Sequence, residues 1–264
     1  MDDAEAVRAT RLALRRVYDH LVQAHERLGA QRESLGLVDV VFHPQNPIPA
    51  LNVVQPRRGT AWIPAPQIEQ GLARLRALTR VPRLQYIEGL FPAQFGESLA
   101  AAGLIEIQRA PLLIATPSTV PAAPSAIVAR TVSAVRGYAL WIYAGAGTHY
   151  ALDADGVEPL ELSRPSANRP VPHVDGVVYR RGLPVRLGRL TFHDRTAHIA
   201  GLAALRDAED DRPLELLLRL LAEAATKRGC TLIFAAASDA AQQAAFLRCG
   251  FAEAGAVVSY APAD

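Results

Sequence analysis

Residues 202 to 229 read LAALRDAEDDRPLELLLRLLAEAATKRG: an apolar strand-like segment, an acidic turn, then a long helix. At the start of such a helix, free backbone N–H groups and the helix dipole can hold a phosphate. Here the turn has no glycine to let a ligand approach the backbone, and it carries Asp207, Glu209, Asp210 and Asp211. Two like unit charges about 4 Å apart in an intermediate dielectric repel by a few kcal/mol, so an acid facing a phosphate would weaken binding severely. Asp210 and Asp211 also suit the start of a helix, as cap and early acid, with Pro213 in the first turn. Just upstream, FHDRTAHIAG supplies His193, Asp194 and His198, the titratable side chains nearest that turn. A histidine there could take a proton from an attacking nucleophile, and both residue types are equally at home in hairpin turns.

Other residues that could do chemistry are scattered. His173 lies in a proline-bearing loop and Tyr260 near the C-terminus, where either could line a pocket. FHPQNPIPALN places His43, Asn46 and Asn52 among prolines, the composition of a rigid turn as much as of a binding loop. Trp141 and Tyr143 stand two apart in an apolar stretch. Cys230 and Cys249, the only cysteines, lie in apolar segments and read as reduced buried thiols, with no metal-ligand spacing around them.

The elements that must position these groups follow from periodicity. Residues 3 to 28 read as an amphipathic helix, LVDVVFHP and ALNVV as short strands, and APQIEQGLARLRALTR as a helix stopping before Pro82. RLQYIE is a strand, PAQFGESLAAAG a helix ending at Gly103, and LIEIQRAPLLIAT a strand pair or one bent strand. TPSTVPAAPSA, with three prolines among small residues, is the most linker-like stretch. We therefore expect a first domain over 1–116, a linker over 117–127 and a second domain over 128–264. In the second, a helix begins within 131–149, and DGVVYRRGLPVRLGRLTFHDRTAHIAGLAAL gives three strands turning at RRGLP and HDRT. A helix over 212–228, the strand CTLIFAAAS, the helix DAAQQAAFLRC and the strand AVVSYA complete an α/β (α+β) pattern.

At 264 residues, half of them hydrophobic, the chain can bury two modest cores. A net charge of +2, from 28 basic and 26 acidic residues without long blocks, gives no footprint for nucleic acid or an anionic membrane. Lys227 is the only lysine, so no catalytic lysine can be placed elsewhere. The N-terminus is acidic and amphipathic, and no run approaches the roughly 18 apolar residues of a membrane span. The expectation is a soluble, cytoplasmic protein.

From residue 185 to 260 the order of elements and several local sequences resemble the GCN5-related N-acetyltransferase (GNAT) superfamily. The matching pieces are VRLGRLTF, where a glycine interrupts an apolar strand; HIAGLAAL, the strand before the acyl-CoA turn; the helix ending in KRG; TLIFAAAS; and AAFLRCGF. PRLQYIEGLF through LLIAT looks like the end of a second, abbreviated unit, since ESLAAAGLIEI echoes AAFLRCGFAEA. The resemblance implies a GNAT-like mixed sheet flanked by helices, complete in the C-terminal unit and abbreviated in the N-terminal one.

It further implies transfer of an acyl group from acetyl-CoA to a small-molecule or peptide amine. The family's Arg/Gln-x-x-Gly-x-Gly/Ala turn holds the pyrophosphate, a carboxylate or water relay deprotonates the amine, and a tyrosine protonates the thiolate. Counted back from KRG, the turn's first position falls on Glu209, its first glycine on Arg212 and its last on Leu214, while Phe246 stands where the tyrosine is expected. The cofactor-binding candidates are thus Ala203, Ala204 and Leu205, through their backbone, with Glu209, Arg212 and Leu214. His198 and His193 are the catalytic candidates, no metal is expected, and a homodimer is left open. Three altered turn positions and a missing hydroxyl imply either an acyltransferase with altered cofactor contacts or a GNAT-like binding or oligomerisation module without catalysis.

Overall fold

The structure is a computed structural model that describes residues 3–57, 62–121, 128–147, 172–205 and 212–263. It divides into two compact units, Met1–Leu112 with Ala254–Asp264, and Leu113–Glu253. The division at Leu112/Leu113 falls ahead of the proline-bearing stretch, and the last residues of the chain belong to the first unit.

The first unit contains α1 (Asp3–Arg27), β1 (Gln31–Leu35), β2 (Val38–Phe42), a 3-10 turn (Pro49–Leu51), β3 (Val53–Pro56), α2 (Ala65–Ala77), β4 (Leu84–Ile87) and α3 (Gln94–Ala101). It ends in β5 (Leu104–Ala115), a single long strand through which the chain enters the second unit. The chain returns in β11 (Ala252–Pro262), which lies antiparallel to β4. The strands run in the order β1-β2-β3-β4-β11, with β3 and β4 parallel and the other pairs antiparallel. Alternate residues of each strand reach one face, so Val38, Val40, Val54, Leu84 and Val258 meet Leu72 and Leu75 of α2 and Phe95 and Leu99 of α3 in one core.

The second unit contains β6 (Val128–Val132), α4 (Ala134–Gly147), β7 (His173–Arg180), β8 (Leu183–His193), β9 (Thr196–Ala204), α5 (Arg212–Lys227), β10 (Leu232–Ala236) and α6 (Ala240–Arg248). Its strands run β10-β9-β8-β7-β6, antiparallel except for the parallel β9–β10 pair. Leu214, Leu217, Leu218 and Leu221 put a leucine stripe of α5 onto the sheet, against Val178, Leu190, Ile199 and Ile233. Each such leucine removed from water contributes roughly 1.5–3 kcal/mol. The helix lies close because the strands offer no side chain beneath it. A Cβ on Gly188 would come within 3.0 Å of Leu217 and Leu202, and one on Gly176 within 3.1 Å of Leu217 and Leu221. The glycine interrupting VRLGRLTF is therefore a seat for α5. The opposite face carries Trp141 and Ala144 of α4, packed on Val177, Tyr179, Leu187 and Leu205.

Among the described residues, no helix is long and apolar enough to cross a membrane. Both cysteines are free and buried, and burial pushes the Cys249 thiol up.

Candidate active site at the carboxyl end of β9

β9 and β10 leave each other early. Their parallel ladder pairs Thr196 with Leu232, Ala197 with Ile233 and His198 with Phe234. Beyond that point β9 runs on to Ala204 and β10 to Ala236. On its other edge β9 stays paired with β8 up to Ala204, and the register shifts after Arg189, which faces Gly201 while Leu190 faces Ile199. The extra residue, Ala200, is a β-bulge, which bends a strand and increases its twist. A bent β9 diverging from β10 leaves a fork whose β9 edge, Ile199 to Ala204, offers backbone N–H and C=O groups to a ligand. Forks of this kind at the carboxyl ends of parallel strands are where open α/β sheets bind ligands.

His198 sits at the base of the fork. Its ring stacks on Phe234, with centroids 4.4 Å apart and planes within 7°, and the residue is 8% exposed. Thr191 pairs with His198 on β8 and His173 with Thr191 on β7, so three polar residues form one row across the sheet. Phe234 ends that row on β10.

In the next row lies a buried ion pair that sequence reading missed. Arg189 donates through Nε to Asp175 Oδ1 at 2.8 Å and through Nη2 to Oδ2 at 2.7 Å, and the side chains are 0% and 1% exposed. Trp141 Nε1 also donates to Asp175 Oδ1, at 3.1 Å, and His173 Nε2 lies 4.0 Å from Oδ2. A fork-on-fork pair satisfies several donors at once, which is what a desolvated guanidinium requires. Gly137 lets α4 come down on this pair, since a Cβ there would stand 1.9 Å from Asp175 Oδ2. The pair thus fastens α4 to the face of the sheet that His198 occupies. Asp175 and Arg189 are fourteen positions apart, and only their hairpin register brings them together.

The remaining candidates separate clearly. His193 pairs with Thr196 at the hairpin end of β9, away from the fork, 3.5 Å from Asp194 Oδ2. Ala203 packs against the cluster around Trp141, Ala204 is exposed beside Arg186, and Leu205 N–H donates to Val185 O at 3.0 Å. Arg212 opens α5 on the surface, whereas the Leu214 side chain is buried in the core under α5. Glu209 and the acids around it lie outside the described residues.

Phe246 is fully buried and meets Phe251 edge-on at 4.9 Å. Trp141 is likewise buried, while Tyr143 is exposed. Tyr260 lies in the first unit, stacked on Tyr86 at 6.2 Å. Burial and the nearby Glu106 push its phenol up, and burial likewise pushes that of Tyr86 up to about 12. Both therefore stay protonated.

No protein-family model matches the sequence, and neither does any curated protein. Solved structures do match the fold. A GCN5-related N-acetyltransferase from Kribbella flavida superposes with a TM-score of 0.74 at 19% identity, over 95% of this chain and 96% of that one. A functionally unknown conserved protein from Staphylococcus epidermidis gives 0.63 at 13% identity, over 88% and 94%. A tandem GNAT protein from the clavulanic acid biosynthesis pathway gives 0.51 at 16%, over 86% and 79%. With a mixed sheet, flanking helices and a forked β9–β10 pair, the chain has the fold of the GNAT superfamily.

Proposed function

We propose that the second unit binds an acyl-CoA in the β9–β10 fork and transfers its acyl group to an amine. The observation that carries this reading is the fork itself, where the ladder stops at His198 and Phe234 while the β9 edge continues to Ala204. That edge fits the amide-bearing arm of acyl-CoA, which can add to β9 as a strand would. The burial of Leu214 in the core keeps its side chain off the ligand's side of the helix start. When bound, acetyl-CoA supplies an activated acyl thioester.

His198, at the base of the fork, accepts the proton of the attacking amine at a ring nitrogen, while Phe234 holds the imidazole plane. The new C–N bond forms as the C–S bond breaks. Solvent protonates the leaving thiolate, because Phe246 has no hydroxyl and is turned into the core. The Asp175–Arg189–Trp141 cluster positions α4 over the same face.

A second reading, a GNAT-like binding module without catalysis, is favoured by Phe246 alone: no group on the described part of α6 takes the tyrosine's role. Acetyl-CoA titration by calorimetry and thermal shift comes first, because ligand at 100 times its Kd stabilises the fold by roughly 2.7 kcal/mol. Thiol release is then followed with amino acids, polyamines and peptides as acceptors. Binding with turnover supports transfer, binding without turnover selects the second reading, and no shift at millimolar acetyl-CoA removes both uses of the fork.

A further inference from the structure

Three arginines of the second unit surround the end of β9, and among the described residues none has a carboxylate within ion-pair distance. Arg186 pairs with Ala204 of β9 on one side and with Val178 of β7 on the other. Its register with Val178 puts it on the face that α5 covers. It is half-buried, and its Nε–H is out of contact with solvent and meets no acceptor.

On the opposite face, Arg130 of β6 and Arg136 of α4 lie over the ring of Tyr179, at 4.7 Å and 5.7 Å from its centroid. Tyr179 is 6% exposed, packs with Leu205, and its hydroxyl is also buried without a partner. Buried donors are almost always satisfied, by protein, water or ligand. A buried cationic N–H and a buried phenol beside three uncompensated guanidinia therefore point to a missing anion. Elsewhere in the same unit the pattern is the reverse: Arg189 is closed by Asp175 and Arg248 by Glu215.

We infer that the end of β9 is an anion site in which Arg186, supported by Arg130 and Arg136, binds the phosphates of a phosphorylated acyl donor by side-chain charge. A glycine-lined backbone cradle is replaced by guanidinia from β6, α4 and β8. Arginine suits this because its planar fork matches phosphate oxygens. The identity of the ligand rests on the acyl-CoA reading above, whereas the charge arrangement stands apart from it.

The test compares acetyl-CoA with acetyl-pantetheine, which has no phosphate, by calorimetry on the full chain. Arg186→Gln is expected to raise the Kd for acetyl-CoA about tenfold or more, as loss of a charged hydrogen bond should, and to leave acetyl-pantetheine unchanged. Arg186→Lys keeps the charge and is expected to fall between. Arg130→Gln with Arg136→Gln should flatten the salt dependence of acetyl-CoA binding. If the wild type binds acetyl-CoA and neither the Arg186 variants nor the double variant changes its Kd, the inference is overturned while the acyl-CoA reading stands. If acetyl-CoA does not bind, inorganic pyrophosphate and 3′,5′-ADP are used as probes. A Tm shift with either, lost in Arg186→Gln, keeps the anion site and removes the acyl-CoA reading. No shift with any of these anions overturns the inference.

Discussion

Two polar regions of this protein invite functional readings, and they are built in opposite ways. In the first unit, the loop from His43 to Asn52 uses its polar groups on itself. Asn52 is fully buried; its Oδ1 accepts from His43 N–H at 3.0 Å, and its Nδ2 donates to the carbonyls of Asn46 at 2.9 Å and Ile48 at 2.7 Å. His43 Nδ1 accepts from the N–H groups of Gln45 and Asn46, so Nε2 carries the proton it gives to Leu28 O at 3.0 Å. Arg80 closes the loop by donating to the carbonyls of His43 and Pro44. At the carboxyl end of β9, by contrast, a strand edge runs past its ladder and buried donors have no acceptor. Histidine and asparagine beside prolines look like chemistry in a sequence, yet here they are scaffold. The region that can still take a ligand is marked by alanines, a leucine and arginines.

This contrast can be broken in graded steps. Asp175→Ala should have the largest effect, because it strands a fully buried guanidinium: about 4 kcal/mol of stability lost in denaturant unfolding. A loss below about 1 kcal/mol would show that Arg189 finds another partner. Asn52→Ala removes three hydrogen bonds in a buried loop and should destabilise the chain by about 3 kcal/mol, with acetyl-CoA affinity unchanged in whatever remains folded. A change in affinity would mean the loop belongs to a site.

Acid should weaken the first unit specifically. His25 is buried near Arg32, and burial first, then that charge, lowers its pKa to about 4. With the folded pKa depressed below the unfolded value near 6.5, the stabilisation is full above pH 6.5 and is lost as pH falls toward 4, about 3 kcal/mol over that interval. Unfolding curves at pH 7 and pH 4.5 should show this loss, and His25→Gln should flatten the difference between them. Equal pH slopes in variant and wild type would contradict the assignment. Phe246→Tyr is the smallest step. It places a hydroxyl in a core position in contact with Phe251, should cost about 2 kcal/mol, and should not raise turnover. A rate gain would put that ring at the active site.

Much of the fold was legible because its elements follow strong periods. The leucine stripe of α5, the hairpins from His173 to Ala204 and the Gly-ended helices all read from local pattern. β1 was not, since QRESL has no alternation of apolar residues and is mostly exposed. β6 was also missed, because VARTV abuts the apolar stretch that forms α4. The return of Ala254–Asp264 to the first unit has no local signal at all; it depends on β11 pairing with β4 about 170 residues away.

At the site, His198 was reachable from its position before the turn. The Asp175–Arg189 pair and the exposed place of Arg186 beside Ala204 were not, because they arise from strand register. Counting back from the helix end set Leu214 beside the ligand on sequence alone, whereas helical phase turns its side chain into the core. Replacing it with glycine would therefore probe packing before it probed binding.

The central claim is that the β9 edge beyond His198 is where an acyl donor binds. Amide hydrogen exchange of the full chain, with and without saturating acetyl-CoA, tests it most directly. Slowed exchange concentrated in Ile199–Ala204, with the His43–Asn52 loop unchanged, is the predicted result; unchanged exchange along β9 under conditions where acetyl-CoA is bound would contradict it.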